Sequence, residues 1–289
     1  HDKIRIGYLS HDFRYHAAAQ FMTAFFADYD KAHFEVYGYQ ANTEADEITC
    51  IFRGLSDKWR EIGAMSFLQA ANCIYEDEID VLVELGGHTE GNCLPVLAWH
   101  PAKIQISGIG YMGSTGLRSV DYFLSDRWCI PQGNKNEFFT EKILQLPQTH
   151  FCYTPLKKMP VQFESPFRRN GYITFGCFNN FSKVTDEQLR LWREILLQVP
   201  SARLILKSSH FAHAGEDTFI QRRLKRIGLP VERIEGRGLS QQYLQEYGEV
   251  DIALDTFPYT GGLTTCEALA CGVPVISRYG QRHGTRFGL

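Results

Sequence analysis

The chain is short of several things, and each absence narrows what it can be. Among its 289 residues no apolar run approaches the roughly 18 needed to span a membrane, so no transmembrane helix is expected. The net charge is only -3, from 30 basic and 33 acidic residues. Such a balance gives no broad field for holding a phosphate polymer, which argues against a nucleic-acid partner. No internal repeat or low-complexity segment is visible. None of the eight cysteines (Cys50, Cys73, Cys93, Cys129, Cys152, Cys177, Cys266 and Cys271) stands in a CxxC pair. Scattered thiols fit a reduced, cytoplasmic protein better than a disulfide framework or a zinc site. No signal peptide opens the chain. His1-Asp2-Lys3 leads straight into an apolar run, as in a fragment that has lost sequence upstream.

What is present is an alternating α/β pattern. Hydrophobic residues make up 44% and charged residues 22%, enough for a packed core. The length is about twice that of a common domain of roughly 150 residues, so two domains are expected. In the first half, β-rich runs at Ile4 to Leu9, Phe34 to Tyr39, Val81 to Leu85, Ile104 to Ile109, Tyr122 to Leu124 and Ile143 to Leu146 read as strands. Between them, His16 to Tyr29 and Ser66 to Glu76 read as helices. Strands separated in this way imply βαβ units around a parallel sheet.

The pattern lapses between Tyr153 and Asn170, where three prolines and several basic residues follow without periodicity. It then restarts. Strands are expected at Tyr172 to Phe178, Arg203 to Lys207, Arg233 to Glu235, Ile252 to Leu254 and Pro274 to Ser277. Helices are expected at Asp186 to Gln198, Thr218 to Ile227, Gln241 to Tyr247 and from about Thr264. The reading is therefore two Rossmann-like domains, 1–155 and 171–289, joined by a linker at 156–170, with ligands in the cleft between them.

Three segments carry candidate chemistry. In Asp255-Thr256-Phe257-Pro258-Tyr259-Thr260-Gly261-Gly262-Leu263-Thr264-Thr265-Cys266-Glu267 an apolar strand turns through glycines into a helix. Bare N–H groups and the positive helix end would suit a diphosphate, and Glu267 would accept both hydroxyls of a ribose. The plainer reading is a strand–turn–helix connection with Thr264 as its N-cap. The second segment, Phe175 to Thr185, delivers Asn180 and Lys183 onto a loop after a strand. A lysine there can neutralise a leaving diphosphate without a metal, or it is a surface lysine beside an N-capping Thr185. The third signal is a pair of histidine loops at the same sheet edge. His16 follows the first strand and would open a helix, and His88 and Thr89 follow the strand at Val81. A histidine there could orient or deprotonate an acceptor hydroxyl or bind the diphosphate, unless it is simply structural.

Three pattern matches are set aside. Gly108-Ile109-Gly110-Tyr111-Met112-Gly113 fits GxGxxG, but no obvious helix follows it. Asp28-Tyr29-Asp30 lies at a helix end, and His210-Phe211-Ala212-His213 has no third partner. No metal site is expected.

Taken together, IRIGYLSHDFRYH, IDVLVELGGHTEGN, HPAKIQISGIGYMGSTG, VDYFLSD, LPQTHFCYTP, ITFGCFNNFSKVT and LDTFPYTGGLTTCEALACGVPVIS resemble the catalytic region of the O-GlcNAc transferase family. The SPINDLY-like and bacterial branch is the nearer. The resemblance implies a GT-B fold and an inverting glycosyltransferase that needs no metal or cofactor and moves a sugar from a nucleotide diphosphate to serine or threonine of proteins. It implies roles position by position. His16 matches the histidine near the sugar and acceptor, once proposed as a base, and Lys183 the lysine on the diphosphate. Asn180 matches its neighbour near the nucleotide, the turn at Leu263, Thr264 and Thr265 the phosphate-binding helix start, and Glu267 the ribose contact.

The chain also departs from the family. Tetratricopeptide repeats that usually precede the first strand are absent, and the chain stops at Leu289, where further helices would follow. It reads as a fragment. Gly262-Leu263-Thr264 stands where animal members have histidine–threonine–threonine, which leaves the donor open between UDP-GlcNAc, the leading expectation, and GDP-fucose. A general base is expected at His16 or in the Asn42 to Asp46 loop, with Glu44 and Asp46. The other readings are a non-catalytic sugar-nucleotide-binding module and a GT-B enzyme building a cell-surface glycan.

Overall fold

A computed structural model describes residues 2–131, 138–161, 164–212 and 219–289, and the chain divides into two compact units, 1–156 and 157–289. His213 and Thr218, named above, lie outside the described residues.

The first unit is built on seven parallel strands: β1 (Ile4–Ser10), β2 (Phe34–Gln40), β3 (Lys58–Glu61), β4 (Val81–Glu84), β5 (Ile104–Ser107), β6 (Tyr122–Asp126) and β7 (Lys142–Leu146). Their spatial order is β3-β2-β1-β4-β5-β6-β7. Helices α1 (Ala19–Ala27), α2 (Glu47–Leu55), α3 (Phe67–Glu76) and α4 (Leu94–Leu97) connect them. Side chains alternate across the sheet, as strand geometry requires. Tyr37 and Leu82 join Ile74 and Val96 in one apolar cluster, while their neighbours Val36 and Val83 join Phe26 and Phe52 in another. Capping boxes start α2 (Asp46 with Thr49) and α3 (Ser66 with Gln69).

Three features of this unit differ from the sequence reading. His16 does not open α1; the N–H groups of Ala19 and Gln20 donate to the carbonyls of His16 and Ala17, so the chain winds in tighter turns before the helix begins. The strand β3 and the helix α2 were not expected. The β3 sequence is Lys-Trp-Arg-Glu at a sheet edge, where exposed charges replace the apolar alternation that marks a strand.

The second unit holds five parallel strands, β8 (Thr174–Cys177), β9 (Arg203–Lys207), β10 (Ile234–Arg237), β11 (Ile252–Leu254) and β12 (Val275–Ile276), in the order β10-β9-β8-β11-β12. Its helices are α5 (Pro166–Asn170), α6 (Asp186–Gln198), α7 (Phe219–Ile227), α8 (Tyr243–Glu246) and α9 (Leu263–Ala270). The turn of helix α5 falls inside the segment read as a linker, with Ser165 capping its start and Gly171 ending it at φ 74°. Trp192, Leu196, Leu204 and Leu206 centre the core on one face, and Tyr247, Val250 and Ala268 centre the core on the other.

Both sheets reverse direction of winding once, at β1/β4 in the first unit and β8/β11 in the second. Beyond the carboxyl ends of strands at such a switch point lies the crevice where doubly wound sheets bind ligands. The GxGxxG stretch is a loop packed on the end of β4. A side chain at Gly110 would bring its Cβ within 2.2 Å of the Leu85 carbonyl oxygen, so close approach explains the glycine. All eight cysteines, each among the described residues, are thiols. No helix among the described residues is long and apolar enough to cross a membrane.

Candidate active site at the sheet switch points

At the switch point of the second unit, β11 ends on Asp255, a buried carboxylate. It accepts the N–H of Thr256 at 2.8 Å, the N–H of Gly261 at 2.7 Å and the hydroxyl of Ser277 at 2.6 Å. These bonds close the 256–261 loop on itself. Burial pushes the Asp255 carboxyl above the usual range, while the three donors and Lys183 oppose that shift. Beyond β8, the buried Asn179 donates to Asp255 at 3.4 Å and accepts the Thr264 hydroxyl at 3.0 Å. The two strand ends are thus tied to the start of α9. No side chain fits at Gly261, whose Cβ would lie 2.5 Å from the Thr264 Oγ1.

The N-cap of α9 is Gly262, which has no side chain to offer, and Thr264 is not the cap. The Thr265 hydroxyl donates back to the Gly261 carbonyl at 3.0 Å. The helix therefore begins with N–H groups that no side chain caps, at its positive end. Glu267, one turn further, is buried and accepts the Tyr243 hydroxyl through Oε1. Asn180, Leu263, Thr264, Tyr243 and Glu267 line one cavity of about 360 Å³. Lys207 lines it too, neutralised by Glu246 at 2.7 Å. Asn180 is partly committed: its carbonyl oxygen accepts the N–H and hydroxyl of Ser182 at 3.1 and 2.9 Å.

Lys183 ends the one-turn 3-10 segment Phe181–Lys183 and does not line that cavity. Its Nζ sits 3.8 Å from the centroid of the Tyr259 ring, and it forms no ion pair among the described residues. Burial pushes the ammonium below the ordinary lysine value, and the Asp255 charge opposes this.

The switch point of the first unit is braced by two buried carboxylates, Asp12 and Glu84. Glu84 accepts the N–H of Gly86 at 2.8 Å, the N–H of Gly87 and the Ser107 hydroxyl at 3.0 Å, and burial raises its carboxyl. The loop so held carries His88, whose Nε2 lies 3.0 Å from the Thr115 carbonyl, and Thr89, whose hydroxyl donates to Gly86 O at 3.0 Å. Asp12 lies 3.4 Å from His16 Nδ1 and 3.7 Å from His11 Nδ1. Burial lowers the His16 pKa while Asp12 works against the drop. The Ala18 N–H donates to His16 Nδ1 at 3.3 Å. A neutral ring accepting there carries its proton on Nε2 and offers a donor, a poor starting state for a base. Asp46 is also committed. Burial works against its ionisation, but the N–H groups of Tyr15, Thr49 and Ile48 hold the carboxyl below the ordinary value.

The structure thus gathers Asn180, Leu263, Thr264 and Glu267 at one cavity, with Gly262, Thr265 and Lys183 on the adjoining chain segments. His16, His88 and Thr89 stand at the carboxyl edge of the other sheet. Sequence reasoning missed Asp12, Glu84, Asn179, Asp255, Tyr243 and Tyr259. For the first four a signal existed: each is a polar residue at or just past the end of an apolar strand.

Comparison with known proteins bears on the same segments. The description Glycosyl transferase family 41 matches residues 1–165. A Petunia hybrida protein, named probable UDP-N-acetylglucosamine–peptide N-acetylglucosaminyltransferase SPINDLY, is 37% identical over 294 residues, 98% of this chain and 31% of its own length. The Arabidopsis thaliana protein of the same name is 37% identical over 293 residues, 99% of this chain and 32% of its length. The chain therefore spans about a third of these relatives. Among solved structures, a mutant of the Thermobaculum terrenum O-GlcNAc transferase superposes with a TM-score of 0.92 at 32% identity, over 99% of this chain and 55% of that one. A Rickettsia africae glycosyltransferase, at 10% identity and TM-score 0.55 over 95% of this chain and 79% of that one, shows the shared fold alone. The fold is that of a GT-B glycosyltransferase, and the chain belongs to glycosyl transferase family 41.

Proposed function

We propose that this chain is the catalytic region of a cytoplasmic protein O-glycosyltransferase that moves a sugar, with inversion, from a nucleotide diphosphate to serine or threonine. UDP-GlcNAc is the leading donor, and neither a metal nor a cofactor takes part. One observation carries the reading: Lys183, a cation without an anionic partner among the described residues, and the start of α9, without a side-chain cap, share one switch point. Both hold unspent capacity for negative charge. A departing diphosphate supplies that charge, so stabilisation grows as the bond to the sugar breaks. Asp255, the carboxylate best placed to hold a metal there, spends its oxygens on Thr256, Gly261 and Ser277. Glu267, which accepts the Tyr243 hydroxyl, also takes a ribose hydroxyl. His16 donates from Nε2 toward the sugar or acceptor, and His88 and Thr89 shape that side.

The test uses the full-length protein, with EDTA present. UDP-GlcNAc, UDP-glucose and GDP-fucose are titrated by calorimetry, and transfer to protein acceptors is followed by mass spectrometry. Tight UDP-GlcNAc binding with labelled acceptors is expected. GDP-fucose as the only ligand would replace the donor. Activity lost in EDTA and restored by manganese would overturn metal independence, and binding without transfer would leave a binding module.

A further inference from the structure

Lys183 is an unusual lysine. It is half-buried, carries no ion pair among the described residues, and rests on an aromatic face instead of a carboxylate. From this arrangement we infer that Tyr259 is a positioning residue for Lys183. Its ring holds the ammonium in place and charged while leaving that charge unspent for the anion that arrives. The inference rests on the transferase reading for the identity of that anion.

The ring is itself fixed from below. The Thr256 hydroxyl donates to the Tyr259 carbonyl at 2.7 Å, setting the backbone from which the ring projects. Asp255 draws Thr256 and Gly261 together, which fixes both ends of the loop. Thr260, the next residue, donates its N–H and its hydroxyl to the Gly284 carbonyl at 3.2 and 3.0 Å. A loop held at so many points is a poor candidate for a freely moving tip, and Tyr259 projects from its middle.

The physical difference between a ring and a carboxylate is what matters. A carboxylate at hydrogen-bond distance would stabilise the ammonium, but an incoming diphosphate would then have to displace it or share it. The negative face of an aromatic quadrupole attracts the cation without cancelling its charge, and that attraction grows once water is excluded. Asp255 adds a longer-range favourable charge, with Cys177 the other titratable group felt by the ammonium. The half-buried ammonium thus has an aromatic face beside it and no ion-pair partner among the described residues.

Three versions of position 259 in the full-length protein test this: Tyr259→Phe, Tyr259→Leu, and fluorinated phenylalanines of decreasing π-electron density. Thermal unfolding confirms that each folds. Lysines carrying ¹³C-methyl groups, with the Lys183 signal assigned by its loss in Lys183→Arg, report the ring contact without any donor. The expected result is an upfield Lys183 methyl signal in the parent and in Tyr259→Phe that moves to the ordinary position in Tyr259→Leu. With donor present, kcat should fall between about 2-fold and 30-fold in Tyr259→Leu, the range of a cation–π contact from exposed to desolvated, with donor KM little changed. Tyr259→Phe should recover most of that loss, and log kcat should fall stepwise with fluorination. A Lys183 signal indifferent to the ring, or rates indifferent to fluorination, would overturn the role of Tyr259. If the signal shifts as expected but no nucleotide sugar binds the parent, the transferase reading fails and the Lys183–Tyr259 contact stands.

Discussion

The two switch points are built alike and finished differently. Each is braced by a buried carboxylate that accepts backbone N–H groups, Glu84 in the first unit and Asp255 in the second. In the first unit the exposed polar groups are then largely consumed nearby. His88 reaches Thr115, Thr89 bonds Gly86, and His16 takes the Ala18 N–H. In the second unit they are not: Lys183 meets a ring, and α9 starts without a side-chain cap. A site that must stabilise new negative charge needs donors still unspent, whereas a site that orients a neutral hydroxyl can be made of groups already fixed. On this view the second unit takes the diphosphate, and the first presents the acceptor.

The comparison breaks most visibly at Lys183. Lys183→Ala in the full-length protein should lower kcat by roughly 10²–10³-fold, the cost of removing one preorganised donor, with little change in donor KM. Equal small losses in both would make it a surface lysine. The cation is the useful form, so activity should be lost as pH rises, and at lower pH than for an ordinary lysine because burial depresses its pKa. A pH–rate profile measures this limb, which should be missing from whatever rate Lys183→Ala retains.

Next come the braces, which should behave alike in both units. Asp255→Ala and Glu84→Ala each orphan buried N–H donors and should cost roughly 3 kcal/mol in denaturant unfolding. If only one of them destabilises, the two switch points are not built on the same device. Glu267→Ala should weaken UDP and GDP by similar amounts, about 1.5–3 kcal/mol, and leave 2′,3′-dideoxy analogues unaffected. Calorimetry with both nucleotide sets reads this, and equal loss for the dideoxy ligands would make Glu267 a support for Tyr243 alone. The smallest effect belongs to His88→Ala, about 1 kcal/mol or less of stability with donor affinity intact. A large loss of donor affinity there would give the first unit a share in the diphosphate site.

Much of this was legible in the residue order. The strand at Arg203–Lys207 and the helix at Asp186–Gln198 lie where the apolar spacing puts them. Long amphipathic runs state their own period. The charged edge strand β3 did not, because an edge with exposed side chains has no buried face to enforce alternation. Site residues followed the same division. Lys183, Thr264 and Glu267 could be named because they sit beside glycines and strand ends in one short stretch each. Asn179 and Asp255 could not be given their role, since it lies in a bond between residues 76 positions apart.

The sequence by itself determined the alternation of strands and helices. That follows from local period and turn residues, which act over a few positions. Only the tertiary structure decided the strand orders that create the switch points, the capture of one Glu267 oxygen by Tyr243, the neighbours of His16 Nδ1 and the aromatic seat of Lys183. Each depends on which distant segment arrives beside a side chain and whether that neighbour spends its hydrogen-bonding capacity or leaves it open, and packing in three dimensions sets both.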